Sequence, residues 1–208
     1  MLSFQTALTF FGVSILLGLS PGPDNVFVLM QSATQGRKAG MLVVLGLCTG
    51  LVVHTIAIAL GLAAVFAASA MAFLVLKLFG AAYLAYLAWG AWRAPVSADT
   101  SINASPLRPR DLYLRGIIMN LTNPKVVFFF LAFLPQFVSA ERGSVAFQFV
   151  ELGCLFILAT IVAFGSISYF AATVGQRLRG SAKAQRWMNR TAAIVFTGLA
   201  LKLALSQR

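Results

Sequence analysis

The chain has 208 residues, 60% hydrophobic and only 10% charged, with a mean hydropathy of +0.88. An ordinary soluble domain carries about 25% charged residues, so this composition excludes that class and points to a membrane. The net charge of +11 is not a nucleic-acid footprint, because the basic residues gather in the connections between apolar segments.

Six segments are long enough to cross a bilayer, for which about 20 apolar residues suffice. The first, 4–33, has no basic leader, outruns a signal-peptide core and lacks a small-residue cleavage site, so it reads as a span. It is interrupted at Ser20-Pro21-Gly22-Pro23-Asp24-Asn25. Proline removes a helical hydrogen bond and clashes with the preceding turn, so a broken helix is expected, its second limb running 24–33. The second segment, 40–68, carries the single histidine, His54, which follows Gly46 and Gly50 at four-residue steps and shares their helix face. The third, 70–92, is parted from the second by a turn near Ser69 and contains Lys77. A proline- and serine-containing stretch leads to the fourth, 116–138, interrupted at Asn123-Pro124-Lys125. The fifth, 145–174, holds Glu151, and the sixth covers 188–205.

With six spans, the connections after the first, third and fifth share one side. They carry Arg37 and Lys38, then Arg93, Arg108, Arg110 and Arg115, then Arg177, Arg179, Lys183, Arg186 and Arg190. The opposite side has only Arg142, Lys202 and Arg208. The positive-inside rule makes the richer side cytoplasmic, which places both termini outside the cytoplasmic (inner) membrane. Three spans per half then imply two inverted repeats, 1–93 and 114–208, joined by a cytoplasmic linker at 94–113. Aligning Pro23 with Pro124 superposes GPDNVFVL on NPKVVFFF and sets Asp24 opposite Lys125. The expected fold is therefore an all-α membrane protein of six transmembrane helices, with helices 1 and 4 broken. Interrupted spans at corresponding places in inverted halves point to a transporter's binding site.

A charge inside hydrocarbon is rare without a role. Asp24 either caps the second limb of its helix or receives a substrate ammonium or a proton there, with Ser20 and Asn25 as polar neighbours. Lys125, about a dozen residues into its span and so near the midplane, needs Asp24, Glu151 or a bound anion as partner. Glu151 and Lys77 each lie about two turns from the outer surface; Lys77 either snorkels to that surface or pairs with Glu151 at an outer mouth. His54 is either a proton relay or a packed histidine bonded to a carbonyl. Asp24, His54 and Glu151 form the expected relay set. No metal-ligand grouping surrounds His54, and Cys48 and Cys154 occupy separate spans without a CxxC pair. With no P-loop, nucleophile elbow or zinc signature, no cofactor is expected.

Three motifs in order carry a family resemblance: the Pro-Gly-Pro-Asp-Asn break, the run from Lys77 through Gly80, Tyr83 and Tyr86, and Asn120-Leu-Thr-Asn123-Pro124-Lys125 followed by Phe133-Leu-Pro135-Gln136-Phe137. Together they resemble the LysE/RhtB family of amino-acid exporters over essentially the whole chain. The resemblance implies a six-span fold and gradient-driven efflux of amino acids or close derivatives, with no enzymatic activity. Carried over, its motif residues are Pro21, Gly22, Pro23, Asp24, Lys77, Gly80, Tyr83, Asn123, Pro124 and Lys125. With Asn25 added and Gly80 set aside, these are the expected substrate-binding residues. The chemistry of the residues agrees, since a zwitterionic amino acid needs an anion, a cation and orienting dipoles. The expected partners are an amino-acid substrate and membrane lipid, without nucleic acid, and small-residue helix faces permit a homodimer. Two other classes stay open: a membrane enzyme using Asp24, His54 or Glu151, and a metal-ion carrier, which would show several midplane acids.

Overall fold

The computed structural model describes residues 2–20, 22–68, 70–93, 107–179 and 182–205. Every regular element among them is helical. Helix α1 (Phe4–Leu19) opens on Ser3, whose hydroxyl accepts from the Thr6 N–H at 3.1 Å. Helix α2 (Pro23–Gln35) follows at 66° to α1. Pro23 takes its first position, where the missing N–H has no helical partner to lose, so the limb opens one residue ahead of Asp24. Helices α3 (Arg37–Ala68) and α4 (Ala70–Arg93) come next. Helix α5 (Pro109–Thr122) and helix α6 (Pro124–Phe128) belong to a second bent pair, at 50°. Beyond α6 the backbone passes through a π turn (Phe129–Phe133) and a 3-10 turn (Leu134–Phe137). A short 3-10 turn (Ala140–Arg142) leads to α7 (Val145–Arg179), and α8 (Ala182–Leu205) ends the described chain.

Both expected breaks are present, and the outer bounds differ in an instructive way. Helix α5 starts at Pro109, inside the stretch read as linker, because proline at the first helical position and Asp111 in the first turn make a good helix start. The rest of that linker, 94–106, lies outside the described residues, as does Pro21. Helix α8 begins six residues before the apolar segment it contains, on basic and polar residues.

Helices α3 and α7 are each long and apolar enough to cross a membrane, over Arg37–Gly61 and Val145–Ala171, and each bent pair qualifies when taken as one unit. Large apolar side chains such as Leu60, Phe79, Ile194 and Leu205 project outward, as a lipid-facing surface requires. In the interior, α3 packs against both α5 and α7, α7 packs against α1 and α2, and α4 pairs with α8. Two apolar clusters flank the breaks. One is aromatic, built on Phe10, Phe129, Phe130, Phe133 and Phe156, with Phe10 and Phe137 edge-to-face at 5.1 Å. The other is aliphatic, built on Val28, Val43, Val44, Leu47 and Leu112.

Candidate functional site

Proline at two places forces two helix ends into the interior, and each leaves backbone groups without intrahelical partners. At the end of α1 those groups are carbonyls. The Asn25 amide donates to Gly18 O at 2.6 Å, and the Ser20 hydroxyl donates to Leu17 O at 2.6 Å. The remaining donor comes from the other half of the chain. Lys125 sends its ammonium to Ser20 O at 3.2 Å and Leu17 O at 3.3 Å, with Ser20 Oγ at 3.5 Å. A cation at a helix C-terminus also meets the negative end of the helix dipole. Lys125 is thus a cap supplied across the molecule, which is how a lysine only 6% exposed keeps its donors satisfied.

This contact is close to Gly22. A Cβ built there would stand 3.1 Å from Lys125 Nζ, so a larger residue requires the ammonium to give way by a few tenths of an ångström.

At the second break the cap is local. Asn123 Oδ1 accepts from the Lys125 backbone N–H at 3.0 Å, while Asn123 Nδ2 donates to Asp24 Oδ2 at 2.6 Å. One asparagine therefore closes α6 and ties it to α2. Asp24 itself makes no side-chain cap to its own helix, so the capping alternative does not describe it. It is 2% exposed, and its Oδ1 has no hydrogen-bond partner. The same holds for Asn25 Oδ1 and Asn120 Oδ1. Buried acceptors without partners are uncommon and call for a reason.

Two of those three orphaned groups, on Asp24 and Asn120, line one internal cavity with Lys125, Thr160 and the apolar Leu17, Leu47, Val126, Phe156 and Phe164. It lies between the two apolar clusters and measures about 20 Å³, room for about one water molecule. The side chains that a zwitterion would need are gathered, but the space for it is closed. Phe156 walls this cavity, stands 6.3 Å from Phe10, and Phe10 meets Phe137. Phe137 in turn borders a polar surface pocket with Gln5, Thr9, Gln136 and Arg142. A column of aromatic rings therefore stands between the cavity and that face.

The expected partners of Lys125 and Glu151 resolve differently from the sequence reading. No ion pair joins Lys125 directly to Asp24 or Glu151; its bonds go to backbone carbonyls. Glu151 Oε2 accepts from the Leu2 N–H at 3.1 Å, pinning the start of α1 to α7. Lys77 and Tyr83 fall on α4, their side chains outside the described residues. His54 is half-buried, with Nε2 3.4 Å from Asn120 O and its ring 5.4 Å from Phe130. That is the packed, carbonyl-bonded arrangement.

The face shared by Gly46, Gly50 and His54 is the one that meets α5. Gly46 lies against the backbone of Tyr113 and Gly116, and a Cβ on Gly50 would stand 2.6 Å from Asn120 Oδ1. Those glycines let α5 come close enough to place Asn120 on the cavity. Asn120 and Thr160 line this cavity; Thr160 was not singled out along the sequence, and Asn120 stood in the third motif without being placed among the expected binding residues, its signal being a polar side chain one turn before the second break.

Comparison with known proteins places the chain in a family. The family model described as LysE type translocator matches residues 15–207. A homoserine/homoserine lactone efflux protein of Salmonella typhimurium is 32% identical over 86% of both chains, and its counterpart in Salmonella typhi is 31% identical over the same shares. An uncharacterized membrane protein of Vibrio cholerae is 30% identical over 96% of this chain and 97% of its own. No solved structure matches the chain. The chain belongs to the LysE type translocator family, and is a translocator rather than an enzyme.

Proposed function

We propose that this translocator is a secondary-active exporter of amino acids or close derivatives, homoserine-like compounds first among them, working by alternating access in exchange for protons. The observation that carries the reading is the meeting of two broken helices around a buried acid with an unused oxygen, Asp24 Oδ1. The substrate class draws on the Salmonella relatives named for homoserine and its lactone. Asp24 binds the substrate ammonium in one phase and a proton in the other, so a single carboxylate cannot serve both at once. When the site opens, the substrate carboxylate replaces the Leu17 and Ser20 carbonyls at the Lys125 ammonium. The cavity of about 20 Å³ corresponds to an occluded phase, with the Phe10–Phe137–Phe156 column as the barrier on one side.

The packing pattern supports six spans in two inverted repeats, with α1–α2, α3 and α4 in the first and α5–α6, α7 and α8 in the second. Exchanging the halves turns the α3–α5 contact into the contact of α7 with α1, and leaves the α3–α7 and α4–α8 pairs as themselves. Helices α4 and α8, with 24 residues each, are about 36 Å long and suffice to span. The cytoplasmic membrane, with both termini outside, follows from the distribution of Lys and Arg.

Uptake of leucine, threonine, homoserine and lysine into inside-out vesicles, with and without a proton gradient, tests the reading. Accumulation of one of them that disappears when the gradient is collapsed is expected. Absence of accumulation for all, in vesicles with confirmed insertion, would overturn the substrate class.

A further inference from the structure

The α4–α8 pair packs beside α6 and the π turn and carries a groove of about 620 Å³ lined by residues other than those of the paired breaks, within the range of about 300–1,000 Å³ common for small-molecule sites. Its floor is lined by alanines, Ala81, Ala85 and Ala88 on α4 and Ala193, Ala200 and Ala204 on α8, and Trp89 and Trp92 stand at one end. Both tryptophans are exposed. Along α4 the lining runs from Ala81 to Trp92, a rise of about 16 Å. That matches one leaflet of hydrocarbon, about 15 Å deep.

The tryptophan end is also the basic end. The Arg93 guanidinium stacks 4.1 Å over the Trp89 ring, and the Arg190 guanidinium stands 5.9 Å from the Trp92 ring. Stacking engages the flat face of a guanidinium and leaves its in-plane N–H fork able to grip a phosphate. Arg93 and Arg190 belong to the basic connections that mark the cytoplasmic side, where the leaflet itself is anionic.

We propose that this groove is a binding site for an anionic phospholipid of the cytoplasmic leaflet, with an acyl chain along the alanine floor and the phosphate held by Arg93 and Arg190. A second copy of the chain fits the groove less well. A two-fold axis along the membrane normal would set the arginine ends of both copies at the same height and face like charges together. A zwitterionic lipid would fill the floor equally but give the two guanidinium groups no net charge to neutralise.

The test uses the full chain in detergent with phosphatidylglycerol or phosphatidylethanolamine of equal chain length, read by native mass spectrometry and thermal melting. The wild type is expected to retain phosphatidylglycerol about ten-fold more than phosphatidylethanolamine, which corresponds to about 1.4 kcal/mol, and to melt higher with it. The double variant Arg93→Ala, Arg190→Ala loses the preference. Ala85→Leu with Ala204→Leu, which places bulk at exposed lining positions of the groove and keeps the charges, loses retention of both lipids. Equal retention of the two lipids by the wild type would overturn the proposal, as would an unchanged preference in the double arginine variant. A dimer mass that disappears in the groove-filling variant would assign the surface to a second copy and overturn it as well. Arg93 and Arg190 are exposed, so the double arginine variant decides the matter if the groove-filling variant fails to fold.

Discussion

The two proline breaks are built alike and hold opposite charges in opposite conditions. At the first, Asp24 has one oxygen bonded to Asn123 and one without a partner. At the second, the Lys125 ammonium is turned toward the carbonyls of the first break. The limbs differ too: α2 is a regular helix of 13 residues, whereas α6 gives way after 5 to π and 3-10 turns. Such turns within a helix often mark functional sites. The difference teaches that an acid and a base at corresponding positions need not be a salt bridge. In this structure the acid keeps one oxygen without a partner and the base caps two carbonyls; the proposed mechanism makes the acid the ligand-binding group and requires an opening motion to release that cap.

The largest effect expected from breaking this asymmetry follows from Lys125→Ala. It strips the cap from Leu17 and Ser20 and leaves the buried carboxylate without a nearby cation, at a cost of about 3 kcal/mol. Thermal melting in detergent reads it, and a wild-type melting point would mean that the carbonyls have another donor. Asn123→Ala comes next, removing both the cap on α6 and the Asp24 hydrogen bond, for about 2 kcal/mol. Melting of the two single variants and the double one should show coupling, because both contacts join the same two breaks. Gly50→Ala sharpens the comparison from outside. The new methyl group must displace Asn120 from the cavity wall, which costs about 1 kcal/mol and slows transport without touching either charge. Vesicle uptake that matches the wild type would remove Asn120 from the site. The smallest effect belongs to His54→Phe. Its bond to Asn120 O is long at 3.4 Å, so stability should change by about 0.5 kcal/mol. Uptake close to wild type is expected, and a collapse of gradient-driven uptake would restore His54 to the proton relay.

Much of this was legible because the signals are local. Proline, and a charge inside an apolar run, announce a broken span from a few residues, and both breaks lie where they were expected. The shared face of Gly46, Gly50 and His54 followed from helical period alone. Contacts across the chain were not legible. The partner of Lys125 is backbone carbonyl more than one hundred residues away, and no side-chain pattern announces a carbonyl. Attraction between unlike charges suggested Asp24 or Glu151, but Glu151 is bonded to the Leu2 N–H. Which residue caps its own limb was written locally: Asn123 stands just before Pro124 and takes the N-cap of α6, whereas Asp24 follows Pro23 and falls inside α2. The start of α5 was written in Pro109 and Asp111, yet the polar composition around them read as linker.

The central claim is that Asp24 is the ligand-binding acid of a paired-break transport site, and Asp24→Asn tests it most directly. The substitution keeps the shape and removes the charge. Gradient-driven homoserine uptake into inside-out vesicles, at matched insertion and melting point, is expected to fall to background. Uptake at the wild-type rate would contradict the account.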